Sequence, residues 1–223
     1  MLAIRTARRG ESKDLNRLSD IAIGGRPSLR QPKDQPLGTI VERYGGEFSV
    51  RPFGQARAVV AERESAGEPC GLAFVTPPVR LMRQHAEHGR SALRALARVL
   101  AEIDLLAVDA DVRRQGVGSA LLEETEGWLG NQGCRVVMAK IARGEYGVMR
   151  WYRQRGYLVA AQGEPFRVWL PGLELCCNDG DDGYQLALKG LGVSLRRARH
   201  GSDTFVTVES GQRSTSRSAL AER

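Results

Sequence analysis

The sequence predicts a mixed α/β domain of the α+β class, and three observations carry the prediction. A strand signal followed by a helix signal opens the chain, a hairpin signal follows, and a β-loop-α-β-α run occupies the middle. With 223 residues, 42% of them hydrophobic, the chain has enough apolar material for one generous domain with appendages.

In order, Leu2 to Thr6 alternate as a short strand, and Asp14 to Ile23 set Leu15, Leu18 and Ile21 at helical spacing behind a cap at Ser12 or Asp14. Gly24 to Gly54 is punctuated by Gly and Pro, and within it Thr39 to Tyr44 suits either a helix or a strand. Ala56 to Arg63 and Pro69 to Thr76 read as an antiparallel hairpin across the polar turn Glu64 to Glu68, and Pro77-Pro78 ends it. Arg80 to Leu100 is basic, and Leu93, Leu96, Ala97 and Leu100 form the stripe of an amphipathic helix. Its arginines make a solvated face or a surface for nucleic acid or another partner.

Ile103 to Val108 is a strongly apolar strand, Ser119 to Leu129 a helix, Arg135 to Ile141 a strand and Tyr146 to Gln154 a helix. Tyr157 to Ala161, Arg167 to Leu170 and Tyr184 to Leu188 read as closing strands, with the acidic turn Asn178 to Gly183 before the last. These elements make a domain of residues 1–192 with a basic helical insertion at 80–100. Residues 193–223 are rich in Arg and Ser and read as a flexible tail, in which Phe205 to Val208 could form a stray strand.

Composition narrows the setting. Charged residues make up 26% with a net charge of +7, which permits phosphate, nucleic-acid or acidic partners without selecting one. Cys70, Cys134, Cys176 and Cys177 show no C-x-x-C spacing, so no zinc site or disulfide framework is expected. Arg5, Arg8, Arg9 and Glu11 interrupt the N-terminal apolar residues, unlike a signal peptide, and no run approaches the roughly 18 apolar residues of a membrane span. A soluble, cytoplasmic, membrane-free protein is the expectation. His85, His88 and His200 are scattered in basic segments and read as solvated, and no metal is expected.

Between the strand ending at Val108 and the following helix lies Arg113-Arg114-Gln115-Gly116-Val117-Gly118. Such a loop suits an anion: first-turn amides point outward together, the helix dipole adds positive charge, and glycine lets backbone approach a pyrophosphate. Two glycines can also serve merely to turn the chain. The loop lacks a Walker Lys-Ser/Thr and the three-glycine dinucleotide spacing, which argues against nucleotide hydrolysis and hydride transfer.

Arg113, Gly116 and Gly118 match the Q/R-x-x-G-x-G/A signature of the GNAT superfamily of N-acetyltransferases, which this stretch resembles. The resemblance extends through LLAVDADVR, similar to the family's central strand, and MRWYRQRGYLV at Met149 to Val159, similar to its later helix and strand. It implies a mostly antiparallel twisted sheet, splayed at its middle strands and flanked by helices. It also implies acetyl-CoA as co-substrate, held by backbone at Leu106, Ala107 and Val108 and by the loop Arg113, Arg114, Gln115, Gly116, Val117, Gly118 and Ser119. No metal is needed, because the thioester is already activated and must chiefly be oriented.

The same resemblance makes Tyr152 the acid that protonates the departing thiolate, against the plain alternative of a packing tyrosine. Glu102 and Asp104 lie two apart on one strand and are expected on one face, together with Leu106 and Val108. In the histone-acetyltransferase branch a glutamate at the Glu102 position accepts a proton from the incoming ammonium. Burial beside a second carboxylate would suit a general base, and Asp104 is the second candidate. Glu145 stands where many members carry a cofactor-contacting asparagine, and reads as a helix cap or a contact to the amine.

The expected function is therefore transfer of acetyl from acetyl-CoA to a primary amine by direct attack in a ternary complex. The alternative is a non-catalytic acyl-CoA sensor, with nucleic-acid contacts through the basic segments. A homodimer is a candidate state, and the identity of the amine is left open.

Overall fold

A computed structural model of the chain describes residues 2–24, 35–50, 53–63, 67–170, 173–177 and 183–209. The larger sheet contains β1 (Leu2–Thr6), β2 (Glu47–Val50), β3 (Gly54–Arg63), β4 (Pro69–Thr76), β5 (Leu100–Val108), β6 (Val136–Ala142), β7 (Leu158–Val159) and β10 (Tyr184–Gly190). Its order is β1-β3-β4-β5-β6-β10-β7, with β2 beside β3. All its pairs are antiparallel except β5 with β6, which a helical crossover joins.

Two helix pairs clothe opposite faces. On one, α1 (Ser12–Ala22) and α2 (Leu37–Tyr44) press Leu15, Leu18, Leu37 and Val41 onto Ala58, Val60, Leu72 and Phe74. On the other, α5 (Val117–Asn131) and α6 (Tyr146–Arg153) bring Leu122, Leu129, Met149 and Tyr152 against Ala101, Ile103, Val137 and Ala139. A wholly buried leucine such as Leu18 stabilises the fold by roughly 2 kcal/mol.

The expected mixed architecture is thus present, and the ambiguous Thr39 to Tyr44 stretch is helical. The insertion is helical too: α3 (Val79–Gln84) and α4 (Gly89–Val99) bury Leu81, Met82, Leu93 and Leu96. They pack against a second sheet of order β11-β12-β8-β9, formed by β8 (Phe166–Leu170), β9 (Leu173–Cys177), β11 (Leu195–His200) and β12 (Asp203–Val208). The turn residues 64–66 and 178–182 lie outside the described residues. Among the described residues, no helix is long and apolar enough to cross a membrane.

The expected flexible tail requires correction. Residues 195–208 form a hairpin whose second strand pairs parallel with β8, and Phe205, Val206 and Thr207 are buried; residues 210–223 lie outside the described set. Arginine-rich composition concealed the strand, because the exposed arginines of β11 outnumber and flank half-buried Leu195 and Ala198.

Glu164 anchors this hairpin. Its carboxylate, almost fully buried, accepts from the Ala161 amide at 2.6 Å and from Arg197 Nε at 2.9 Å. Arg197 is half exposed, so the ion pair itself adds little and the buried amide matters more. Glu164→Ala is expected to cost roughly 2 kcal/mol, lowering the melting temperature by roughly 4 to 8 °C. Glu164→Gln, which retains an acceptor, should lose less than half of that in the same thermal melts.

Candidate active site

The geometry of the site starts with a register shift. Leu105 pairs with Phe74 and Ile103 with Val75, so Asp104 is an extra residue in β5, a bulge. Beyond it the alternation inverts. Ala101 and Ile103 face α5 before the bulge, and Leu106 and Val108 face α5 after it, while Leu105 and Ala107 turn to the α1 side. Glu102 therefore does not share a face with Leu106 and Val108, as simple period-2 reading expects.

At the same point the sheet opens. β5 pairs with β6 only from Leu100↔Val136 to Ile103↔Ala139, and beyond Ile103 the two strands diverge. The wedge between them ends at the loop and at the start of α5. Parallel pairing cannot continue past the bulge because the extra residue redirects the strand.

The loop is shaped for backbone donation. Gly116 caps α5 in the left-handed region at φ 84°, and Arg114, at φ 63°, is the one non-glycine residue with positive φ among the described residues. A side chain held there is strained, and such strain clusters at functional sites. The first intrahelical bonds run from Ser119 N and Ala120 N to Gly116 O, both at 3.0 Å. The Ser119 amide is already engaged, so Val117 and Gly118 are the helix-end donors left for an anion.

Neighbouring charges keep the loop cationic. Asp109 and Asp111, which precede it, are ion-paired with Arg17 and Arg63. Arg113 turns back and donates Nε to the Val108 carbonyl at 3.0 Å, so that carbonyl is engaged by the loop itself. Arg114 makes no ion pair among the described residues and is exposed.

Helix α6 is fastened to this turn. Arg155 donates Nε to Ser119 Oγ at 3.0 Å, and its guanidinium lies 3.9 Å from the Trp151 ring centroid. A methyl group placed at Gly118 would meet Trp151 at 3.4 Å and Val108 at 3.5 Å, so β5, α5 and α6 converge closely there. A cleft of about 230 Å³ beside this junction is lined by Ser119, Leu122, Glu126, Arg155 and Lys189 among others.

Tyr152 is buried in the same corner, edge-on to Trp151 at 5.0 Å and to Tyr157 at 4.9 Å. Burial pushes its phenol well above the ordinary range, and the charge of Glu126 pushes the same way. Glu126 is held by two partners, accepting from Tyr157 Oη at 2.8 Å and from Lys189 Nζ at 2.6 Å. Sequence reading missed this triad; a lysine near the end of an apolar strand was the available signal.

Glu102 lies on the opposite face from Tyr152, alternating with Ala101 and Ile103. It is buried, and its Oε1 is 2.8 Å from the ammonium of Lys140. Asp104 is exposed at the bulge, and the partner shown for Glu102 is a cation. Lys140, the lone charge in the strand VVMAKIA, was passed over. Glu145 occupies the N-cap of α6, the expected place for an anion at a helix N-terminus, and its exposed carboxylate makes no capping hydrogen bond.

A larger cleft, about 420 Å³, lies at the other end of β5 between α4 and α5, lined by Arg94, Arg98, Trp128 and Ala101 among others. It contains none of the expected site residues.

Comparison with known proteins accords with this arrangement. The model of the acetyltransferase (GNAT) family matches residues 30–157, more than half of the chain. Among solved structures, a GNAT-family acetyltransferase from Staphylococcus aureus aligns with a TM-score of 0.54 at 13% identity, over 86% of this chain and 99% of that one. A phosphinothricin acetyltransferase from Sinorhizobium meliloti in complex with acetyl-CoA gives 0.55 at 17% identity, over 86% and 89%. The ribosomal-protein-S18-alanine N-acetyltransferase of Escherichia coli gives 0.51 at 14% identity, over 87% and 96%. These likenesses show a shared fold. No significant match is found among curated proteins. The family match, on a sheet that splays after Ile103 above a glycine-capped helix, establishes that the chain belongs to the acetyltransferase (GNAT) family and is an acyltransferase.

Proposed function

We propose that the protein transfers an acetyl group from acetyl-CoA to a primary amine by direct attack in a ternary complex. The observation that carries this reading is the wedge between β5 and β6, which opens onto the first turn of α5 with Tyr152 buried beside it. The Val117 and Gly118 amides, with Arg114, receive the pyrophosphate, and the unpaired edge of β5 beyond Ile103 receives the pantetheine arm. Acetyl-CoA bound to the similar Sinorhizobium enzyme supports the choice of donor.

Acid and base then approach the thioester from opposite faces of the sheet, through its gap. The incoming ammonium gives one proton to Glu102, and its lone pair attacks the carbonyl carbon. As the carbon–sulfur bond breaks, the sulfur takes the Tyr152 proton, the second nitrogen proton restores the tyrosine phenol, and Glu102 gives its proton to solvent, so that one proton is released per acetyl group transferred. Lys140 must release Glu102 for this role. An ammonium-bearing substrate can replace it, because it offers the carboxylate the same charge-assisted hydrogen bond.

The Glu102–Lys140 pair also favours a second reading, an acyl-CoA sensor without turnover, since it occupies the base. Thiol release from acetyl-CoA across an amine panel separates the two. Under the enzymatic reading Glu102→Gln lowers kcat by about a hundredfold, while Asp104→Asn changes it little. A loss confined to Asp104→Asn reassigns the base. Acetyl-CoA binding without release for any amine would establish the sensor.

A further inference from the structure

The insertion carries a constellation that acyl transfer does not use. Between α3 and α4 the chain makes a 3₁₀ turn, Ala86–His88, around which His85, Glu87 and His88 bring their ligand atoms within 4.8 Å of one another. With three residues per turn, such a helix eclipses positions i and i+3. His85 and His88 are so related, and their rings stack with centroids 5.6 Å apart. Glu87 Oε1 lies 3.4 Å from His88 Nε2, completing the cluster.

One histidine is already oriented. His85 Nε2 stands 3.3 Å from the Cys176 carbonyl oxygen. A carbonyl only accepts, so Nε2 carries the hydrogen and neutral imidazole keeps its lone pair on Nδ1. Metal-binding histidines are commonly fixed in this way, with the second nitrogen donating to a backbone carbonyl. Glu87 and His88 are exposed and His85 half-buried, so an ion has access and can retain water.

We propose that His85, Glu87 and His88 bind a divalent first-row cation of the zinc type, at a site separate from the acyl-transfer centre. Two imidazoles and one carboxylate suit Zn²⁺, whereas Mg²⁺ takes oxygen donors. Three protein ligands leave one tetrahedral position for water. The turn joins α3 to α4, and His85 reaches β9, so the bound ion pins the insertion to the second sheet. Exposed Arg83 and Arg90 flank the turn and temper the affinity by repulsion. The H-A-E-H stretch reads as solvated in the sequence because its basic, polar surroundings show no partner for the two histidines; the 3₁₀ turn brings His85 and His88 together with Glu87.

The test is calorimetric titration of the chelator-treated full chain with zinc chloride, with magnesium chloride as control. One Zn²⁺ per chain, no Mg²⁺ binding and a raised melting temperature are expected. The His85→Ala/His88→Ala variant should bind at least about tenfold more weakly. Cys176→Ser should bind as the parent does, which separates the site from zinc capture by the free thiols. The chain has three histidines, so zinc must shift the imidazole resonances of His85 and His88 and spare His200, a readout that needs no variant. Absent 1:1 binding, binding undiminished in a folded double variant, loss in Cys176→Ser alone, or unmoved His85 and His88 resonances would each overturn the proposal.

Discussion

Replacing Tyr152 by Phe is expected to lower kcat for acetyl transfer by about a hundredfold while leaving KM for acetyl-CoA within about twofold. The phenol packs between Trp151 and Tyr157 through its ring edges, and its hydroxyl makes no hydrogen bond among the described residues. Phenylalanine preserves the packing and removes only the proton. Burial and the nearby Glu126 charge hold that proton more tightly than in an ordinary phenol. The acid is therefore loaded at neutral pH and remains so through the alkaline range, near pH 10, where an exposed tyrosine ionises. Sign follows directly: a raised value keeps the protonated, active form at higher pH. Steady-state rates of the parent should show no descending limb from this group below about pH 10. A variant that retains full kcat would make Tyr152 a packing residue, and the thiolate would have to leave unassisted.

Much of the fold is legible in the sequence, and for identifiable reasons. Short-range patterns are written in neighbouring residues: glycine spacing, the helical stripe of Leu93 and Leu96, and the hairpin of β3 and β4 follow from local chemistry. What failed was parity. One bulge residue, Asp104, inverts the faces of β5, and its pairing with β4 is decided some thirty residues away. Glu102, before the bulge, meets Lys140 across the sheet, a contact between strands that no local pattern encodes. The arginine-rich β11 failed for the opposite reason: its composition reads as solvated, and only its pairing with β12, which itself docks beside β8, brings its few apolar residues to a core. Glu126 escaped as well, since its partners Tyr157 and Lys189 lie on later elements.

Valine at Gly116 should raise KM for acetyl-CoA at least about tenfold and spare kcat at saturation, because the glycine shapes a binding surface and not the reacting centre. Gly116 sits at φ 84°, and a Cβ added there meets nothing within 4 Å. The cost is conformational: roughly 1–2 kcal/mol for a side chain in the left-handed region, more for a β-branched one. The loop relieves that strain by turning, which swings the Val117 and Gly118 amides away from the phosphates. General destabilisation could mimic the effect, and Gly133 supplies the control. It lies just beyond the far end of α5 at φ 80°, also with open space around its Cβ. Gly133→Val carries the same backbone penalty without touching the donor end. Both variants should melt several degrees lower, but only Gly116→Val should lose affinity, and Gly116→Asn, whose side chain tolerates this region, should recover most of it. Equal losses of affinity at both glycines would show that α5 merely needs to be stable; a loss at one end assigns the pyrophosphate to the amides of the first turn.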